Sequence, residues 1–499
     1  CNNALNQPNG LSVEFFPTRS AEDRAVDRAL DRLIVGVFIG LGLLLTPPVH
    51  AKNVVFFLGD GMGVSTITAA RIFAGQQQGA SGEEYDLAFD HFDNVALIKT
   101  YNTDAQVPDS AGTITAIMTG QKTRIGVVGV DASVARDDCS AALTGSLPSV
   151  AELAEDAGLR TGVVSTARIT HATPAGAYAH SPNRNWEDSA SMPKDAAAAG
   201  CKDIAQQLLD TPHGDGPEVI LGGGRAQFLP NSVADPEYAA KVGKRDDGAN
   251  LIDQWLNAAP GREYVWNRQD FLALMEKRAA DNNIAGQFMG LFEPSHMQFE
   301  SDRANDPAGE PSLLEMTQFA LAEMQKSDRG YFLLIEAGRI DHAHHGSNAH
   351  RALVDTVALS DAVQWVVDNV NLEDTLILVT ADHSHTMTIS GYPRRGNPIL
   401  GLVENQPGKL AKDATGLPYT TLSYANGGGY KKRRLDLSEV DTTALNYQQL
   451  GTVPMYAETH AGEDVAAFAI GINADKVRGV MEQSALFEVM RGALFDRAD

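Results

Sequence analysis

Positive charge is what this sequence most lacks. Forty Lys and Arg stand against 64 Asp and Glu, a formal net charge of -24 in 499 residues. Such a field repels a phosphate backbone, which excludes nucleic acid as a partner. It does not exclude a small phosphate ester, because bound cations reverse the sign locally. Cysteine is scarce as well: Cys1, Cys139 and Cys201 are the only three. No Asn-X-Ser/Thr acceptor occurs, so nothing marks a glycosylated surface. No G-x-G-x-x-G or G-x-S-x-G is present, which removes the dinucleotide fingerprint and the hydrolase nucleophile elbow. Repeats and low-complexity tracts are absent too.

Long apolar runs are missing except near the start. Leu33 to Leu45 is apolar over 13 residues, too short to span a bilayer comfortably, and Val49-His50-Ala51 follows with small residues. This reads as an export leader over residues 1–51, cut after Ala51, with one catalytic domain over 52–499. The C-terminal LFEVMRGALFDRAD is no lipid-anchor signal. An exported, periplasmic or secreted bacterial protein without a stable membrane anchor is expected, and there an even pair of cysteines favours a disulfide.

What is there is a large core, with 43% hydrophobic and 21% charged residues. From Lys52 onward apolar runs alternate with helical stretches. Strands are expected at Asn53 to Leu58, Thr161 to Ser165, Glu218 to Leu221, Tyr331 to Ile335, Thr375 to Thr380 and Val465 to Ile470. Helices are expected at Ser149 to Ala157 and Leu313 to Gln325. The fold class is therefore α/β, a mostly parallel central sheet with helices on both faces. Residues of about 225–310 and 392–455 break the alternation and read as surface insertions on that domain.

The chemistry-bearing residues sit at the ends of these apolar runs, where open α/β sheets carry their sites. Asp60 follows NVVFFLG, Glu336 to His345 follow YFLLI, Asp382-His383 follow TLILVTA, and His460 precedes AGEDVAAFAIG. Asp341 and His345, four apart, share one helix face and can grip one ion. Asp382 and His383 are adjacent, so both reach one metal only if the chain bends sharply after the strand. His385 reads as a core histidine satisfied by hydrogen bonds. Ser110, after Pro108-Asp109, starts a helical run whose N-terminus favours an anion. It is equally a plausible helix cap. With no histidine close in sequence to serve as base, its activation would have to come from a metal.

LGDGMG, PDSAGT, HATPAGAYAHSPNRNW, LLIEAGRIDHAHH, VTADHSHT and ETHAGEDV follow one another in this order. Together they resemble the alkaline phosphatase family, nearer to its animal-type members than to the enteric bacterial type. The resemblance implies a phosphomonoesterase of broad specificity, active at alkaline pH through a phosphoserine on Ser110. It implies one zinc held by Asp341, His345 and His460, a second by Asp60, Asp382 and His383, and a magnesium held by Asp60, Thr173 and Glu336. Arg184 would clamp the phosphate. His171 and His342 stand where the enteric type has Asp and Lys, which predicts weaker magnesium binding. A calcium site is implied at Glu237, the Phe292 carbonyl, Glu293 and Glu310, the last where the animal type has Asp. The resemblance also pairs Cys139 with Cys201 and implies a homodimer, although cleavage after Ala51 leaves almost no N-terminal arm to exchange. Sulfatases on a related metal scaffold are disfavoured, because Ser110-Ala111-Gly112 lacks the proline they need two residues after the nucleophile. A non-catalytic metal- or phosphate-binding protein is the remaining alternative.

Overall fold

The central strands form because their sequences are apolar on both faces, as a sheet covered by helices on each side requires. A computed structural model describes residues 52–280 and 286–496; the proposed leader lies outside them. Ten strands make the main sheet: β1 (Lys52–Gly59), β2 (Asn94–Lys99), β3 (Arg160–Arg168), β4 (Val219–Gly223), β5 (Glu263–Val265), β6 (Phe288–Leu291), β7 (Gly330–Ala337), β8 (Thr375–Thr380), β9 (Val465–Gly471) and β10 (Gly479–Glu482). Their order is β10-β2-β9-β8-β1-β7-β3-β4-β6-β5. Only β9 runs against its neighbours, pairing antiparallel with both β2 and β8. β7 and β8 are buried throughout, and β1 is buried from its second residue on.

Helices cover the two faces in two groups. One comprises α1 (Val64–Gln77), α5 (Leu313–Met324), α6 (Arg339–His345) and α7 (Ala349–Asn369). The other comprises α2 (Ser110–Thr119), α3 (Val150–Asp156), α4 (Ala172–Ala175) and α8 (Ala485–Phe495). Local sequence sets several of their starts. Ser149 with Glu152, and Ser312 with Glu315, form reciprocal capping boxes at α3 and α5. The segment of about 225–310 supplies β5 and β6 and so lengthens the sheet. Residues of about 392–455 contribute strands Leu422–Gly427 and Gly451–Pro454, which join Met387–Ile389 in a separate small sheet. Cys139 and Cys201 are joined in a disulfide.

Register explains why distant motifs meet. Leu58 of β1 lies opposite Glu336 of β7 on one side and Thr380 of β8 on the other. The three central strands thus finish at one level, and Asp60, Glu336 and Asp382 emerge side by side. His460-Ala461 pairs antiparallel with Ser384-His385, which brings the last motif to the same edge.

Candidate active site

Asp60 leaves β1 through a tight turn at Gly61, whose φ is +69°. A Cβ there would lie 2.4 Å from the His385 ring, so the position needs glycine on both counts. Both Asp60 carboxylate oxygens are buried without a hydrogen-bond partner among the described residues. Burial pushes the Asp60 pKa well up, and the nearby carboxylates Asp382, Asp341 and Glu336 add to it. Asp382 accepts from the amides of Gly61 at 3.0 Å and His383 at 2.9 Å; these bonds define the bend that adjacent ligands need. His383 Nε2 then lies 3.1 Å from Asp382 Oδ2, 3.5 Å from Asp60 Oδ1 and 3.2 Å from Ser110 Oγ.

A second cluster forms around Asp341 on α6. Its Oδ1 is 3.3 Å from Nε2 of both His345 and His460, and those two nitrogens are 3.2 Å apart. The far ring nitrogens face backbone carbonyls: His345 Nδ1 that of Glu458 at 2.5 Å, His460 Nδ1 that of Pro108 at 2.8 Å. A carbonyl can only accept, so each Nδ1 carries the proton and each Nε2 presents a lone pair. Two lone pairs and a carboxylate oxygen facing each other at this distance repel unless a cation lies among them. The donor set of two nitrogens and an oxygen suits zinc.

Glu336, at the end of β7, accepts from the Ser165 hydroxyl, while its other oxygen has no hydrogen-bond partner among the described residues. Burial lifts its pKa to about 8. Thr173 Oγ1 is likewise buried and unpaired. Ligand atoms of Asp60, His171 and Glu336 lie within 4.8 Å of one another, and so do those of Asp60, Asp341 and His383. These orphaned oxygens and nitrogens fit a set of divalent cations.

Ser110 is the first residue of α2, and Asp109 caps the helix by accepting from the Gly112 amide at 3.1 Å. The cap is therefore Asp109, which leaves the Ser110 hydroxyl free to face His383. Arg184 donates to Asp109 Oδ2 at 3.0 Å and contacts His171 Nε2 at 3.1 Å. Burial would raise the Asp109 pKa, but the Arg184 charge and the amides of Gly126 and Gly112 outweigh it and hold the group low. Ser110, Arg184, His171, His342, His345 and His460 share a cavity of about 430 Å³ with Arg168 and Glu187.

Over residues 51–495 the chain matches the family model described as "Alkaline phosphatase". The chain belongs to the alkaline phosphatase family. The tissue-nonspecific alkaline phosphatase of Gallus gallus is 47% identical to it over 449 residues, covering 88% of this chain and 84% of that protein. Among solved structures, the Thermus thermophilus alkaline phosphatase superposes with a TM-score of 0.63 at 23% identity, covering 89% of this chain and 91% of that one. An alkaline phosphatase variant from the Antarctic bacterium TAB5, solved with Mg bound, has a TM-score of 0.60 at 20% identity and covers 89% and 98%. The fold is that of the alkaline phosphatases, and the enzyme is a metal-binding phosphomonoesterase.

Some participants were not read from sequence as parts of the site. His385 is buried and hydrogen-bonded, as a core histidine should be, but its partners are Asp341 at 2.7 Å and Glu458 at 2.5 Å. Glu458 also accepts from the Thr386 hydroxyl at 2.6 Å. No local pattern announces this, because Asp341, His385 and Glu458 lie on three segments far apart in the chain. In the 225–310 segment the carboxylates brought within 4.8 Å are Glu237, Glu293 and Asp306. Glu310 is not one of that trio: one oxygen accepts from the Gln298 amide at 2.9 Å, the other has no partner among the described residues, and burial, with repulsion from Glu293 and Asp306, lifts its pKa to about 9. Phe292 lies just past β6, its amide bonded to the Gly222 carbonyl at 2.9 Å.

Proposed function

We propose that this phosphatase acts through a covalent phosphoserine on Ser110, with Arg184 as the phosphate clamp. Asp341, His345 and His460 would hold one zinc, Asp60, Asp382 and His383 a second, and Asp60, Thr173 and Glu336 a magnesium. The observation that carries the reading is the Ser110 hydroxyl 3.2 Å from His383 Nε2, beside the buried carboxylates of Asp60 and Asp382, whose pKa values burial raises. Bound there, the ions neutralise the carboxylates and lower the pKa of a nearby hydroxyl or water.

The chain's own residues do the remainder. The ten-residue helix α2 points its N-terminal amides at the entering phosphate. Arg184, steadied by Asp109, offers its remaining N–H groups to two phosphoryl oxygens, a bidentate grip that Lys could not give. Ser110 Oγ attacks phosphorus in line as its proton passes to water, the bond to the substrate alcohol breaks, and the alcohol departs carrying a proton returned by that water. A water then attacks the phosphoserine from the opposite side, releasing phosphate and restoring Ser110. Arg184 spreads the developing charge in both steps. Only the phosphoryl group is gripped, which supports broad specificity among monoesters. His171 brings an imidazole, not a carboxylate, towards the Asp60–Glu336 oxygens and so favours weaker magnesium binding, with His342 behind it.

We further propose a calcium site at Glu237, Glu293 and the Phe292 carbonyl, with Asp306 better placed than Glu310 to complete it. A single catalytic domain over 52–499, a homodimer, and export to the periplasm or medium complete the reading. Among the described residues no helix is long and apolar enough to cross a membrane.

The deciding experiment is an acid quench during turnover of a labelled phosphate monoester, followed by peptide mapping. Label is expected on the Ser110 peptide and absent from S110A. Equal labelling of S110A, or label on another residue, removes the proposed intermediate.

A further inference from the structure

Glu458 opens the ETHAGEDV segment, two residues before His460, and is buried. Its side chain and its backbone both reach the group of Asp341, His345 and His460. Oε2 accepts from His385 Nδ1 at 2.5 Å, and His385 Nε2 donates in turn to Asp341 Oδ1 at 2.7 Å. Both carboxylates can only accept, so both ring nitrogens of His385 carry protons, and the ring is a strut between the two acids. Asp341 Oδ1 keeps a second lone pair for an ion. The backbone of Glu458 meets His345 twice. Its amide donates to the His345 carbonyl at 3.0 Å, and its carbonyl accepts from His345 Nδ1 at 2.5 Å, the bond that leaves the lone pair on Nε2.

Glu458 is itself fixed from outside the group. Its Oε1 accepts from the amide and the hydroxyl of Thr386, both at 2.6 Å. Thr459 beside it is clamped by Asn426, from the strand Leu422–Gly427. The Thr459 amide donates to Asn426 Oδ1 at 3.0 Å, and Asn426 Nδ2 donates to Thr459 Oγ1 at 2.9 Å. Gly427 lets that strand approach, since a Cβ there would lie 3.0 Å from the Glu458 Cβ. The group of Asp60, Asp382 and His383 is held differently. Asp382 is set by the amides of Gly61 and His383. Among the described residues Glu458 makes no hydrogen bond to any of those three.

We propose that Glu458 is a positioning residue for one metal site only, orienting Asp341 through His385 and His345 through its backbone, and so setting zinc affinity there apart from the other site. This rests on the zinc reading of the two groups. A carboxylate free to rotate loses that freedom when an ion binds, and one already clamped does not. Removing an outer partner of this kind lowers metal affinity by about 10- to 100-fold. E458A deletes the clamp on Asp341 and leaves the backbone bonds to His345. E458Q preserves the clamp: its carbonyl oxygen takes both Thr386 donors, and its NH₂ donates to His385 Nδ1, which leaves the other ring proton for Asp341.

The test reloads metal-free protein with Zn²⁺ against a chelator of known affinity, with magnesium in excess, and counts zinc per chain. Wild type is expected to hold two zinc ions. E458A is expected to lose about 10- to 100-fold in one binding step with the other unchanged, and E458Q to stay close to wild type. Two unchanged steps in E458A, equal weakening of both, or an E458Q as weak as E458A overturns the proposal. Should E458A fail to fold, E458D decides, because it is one carbon too short to hold Thr386 and reach His385 together. Weakening of a single step in E458D supports the proposal, and unchanged steps overturn it. A wild type that holds no zinc removes the zinc reading and this inference together, whereas two zinc ions in wild type with an unaltered E458A removes this inference alone.

Discussion

Glu155 offers a quantitative test of how this fold handles alkaline conditions. It sits near the end of α3, where its carboxylate accepts from the Thr161 hydroxyl. Burial lifts its pKa from 4.5 to about 8, with repulsion from Glu218 and Asp215 contributing. Glu218 is itself lifted to about 7, chiefly by burial, and the Arg160 guanidinium is 3.8 Å away. Between pH 4.5 and 8 the folded state keeps the Glu155 proton that the unfolded chain has lost. Stability therefore falls as pH rises through this window, by about 1.4 kcal/mol per unit, and is flat above it. The total is about 5 kcal/mol for Glu155. Glutamine reproduces the protonated shape and leaves an acceptor for Thr161. E155Q should thus match wild type near pH 4.5 and exceed it by up to about 5 kcal/mol at pH 9. Unfolding entropy in a chain of this size is about 1 kcal/mol/K, so the Tm gain is about 5 °C at pH 9. Differential scanning calorimetry at both pH values, with metal concentrations fixed, reads this directly. A Tm gain equal at the two pH values, or none at pH 9, refutes the reasoning.

Three further outcomes are expected. Ser347 follows α6 with φ of +53° and a buried hydroxyl that has no partner among the described residues, so S347G should gain about 1 kcal/mol in urea unfolding; a loss would mean that its packing outweighs the strain. The Cys139–Cys201 disulfide joins residues 62 positions apart, and a C139A/C201A double variant should lose about 4 kcal/mol, read by urea titration. Chelation should lower the Tm and abolish turnover together, since each site saturated 1,000-fold above its Kd contributes about 4 kcal/mol; activity that persists after exhaustive metal removal would contradict the metal-centred mechanism.

Much of the site was legible because its residues mark strand ends. NVVFFLG, YFLLI and TLILVT can be little else than buried strands, and the acids that follow them fall where a parallel sheet puts its chemistry. Asp341 and His345 share a helix face by spacing alone. His385 was legible as a buried histidine but not as the residue that orients Asp341, because nothing in ADHSHT points to Glu458. Asp306 lies in a segment rich in Asp, Asn, Pro and Gly, and the carboxylates it meets, Glu237 and Glu293, are not its neighbours in the chain. The 225–310 segment read as an insertion because β5 and β6 are only three and four residues long, too short for a periodic signal.

By itself the sequence determined the fold class, the strand ends and the kinds of side chain gathered there, because burial and spacing act over a few residues. Only the tertiary structure decided which carboxylate meets which imidazole, that Asp109 and not Ser110 caps α2, and that Asp306 joins Glu237 and Glu293. Those choices depend on sheet register and strand order, and a contact between residues hundreds of positions apart leaves no trace in local periodicity.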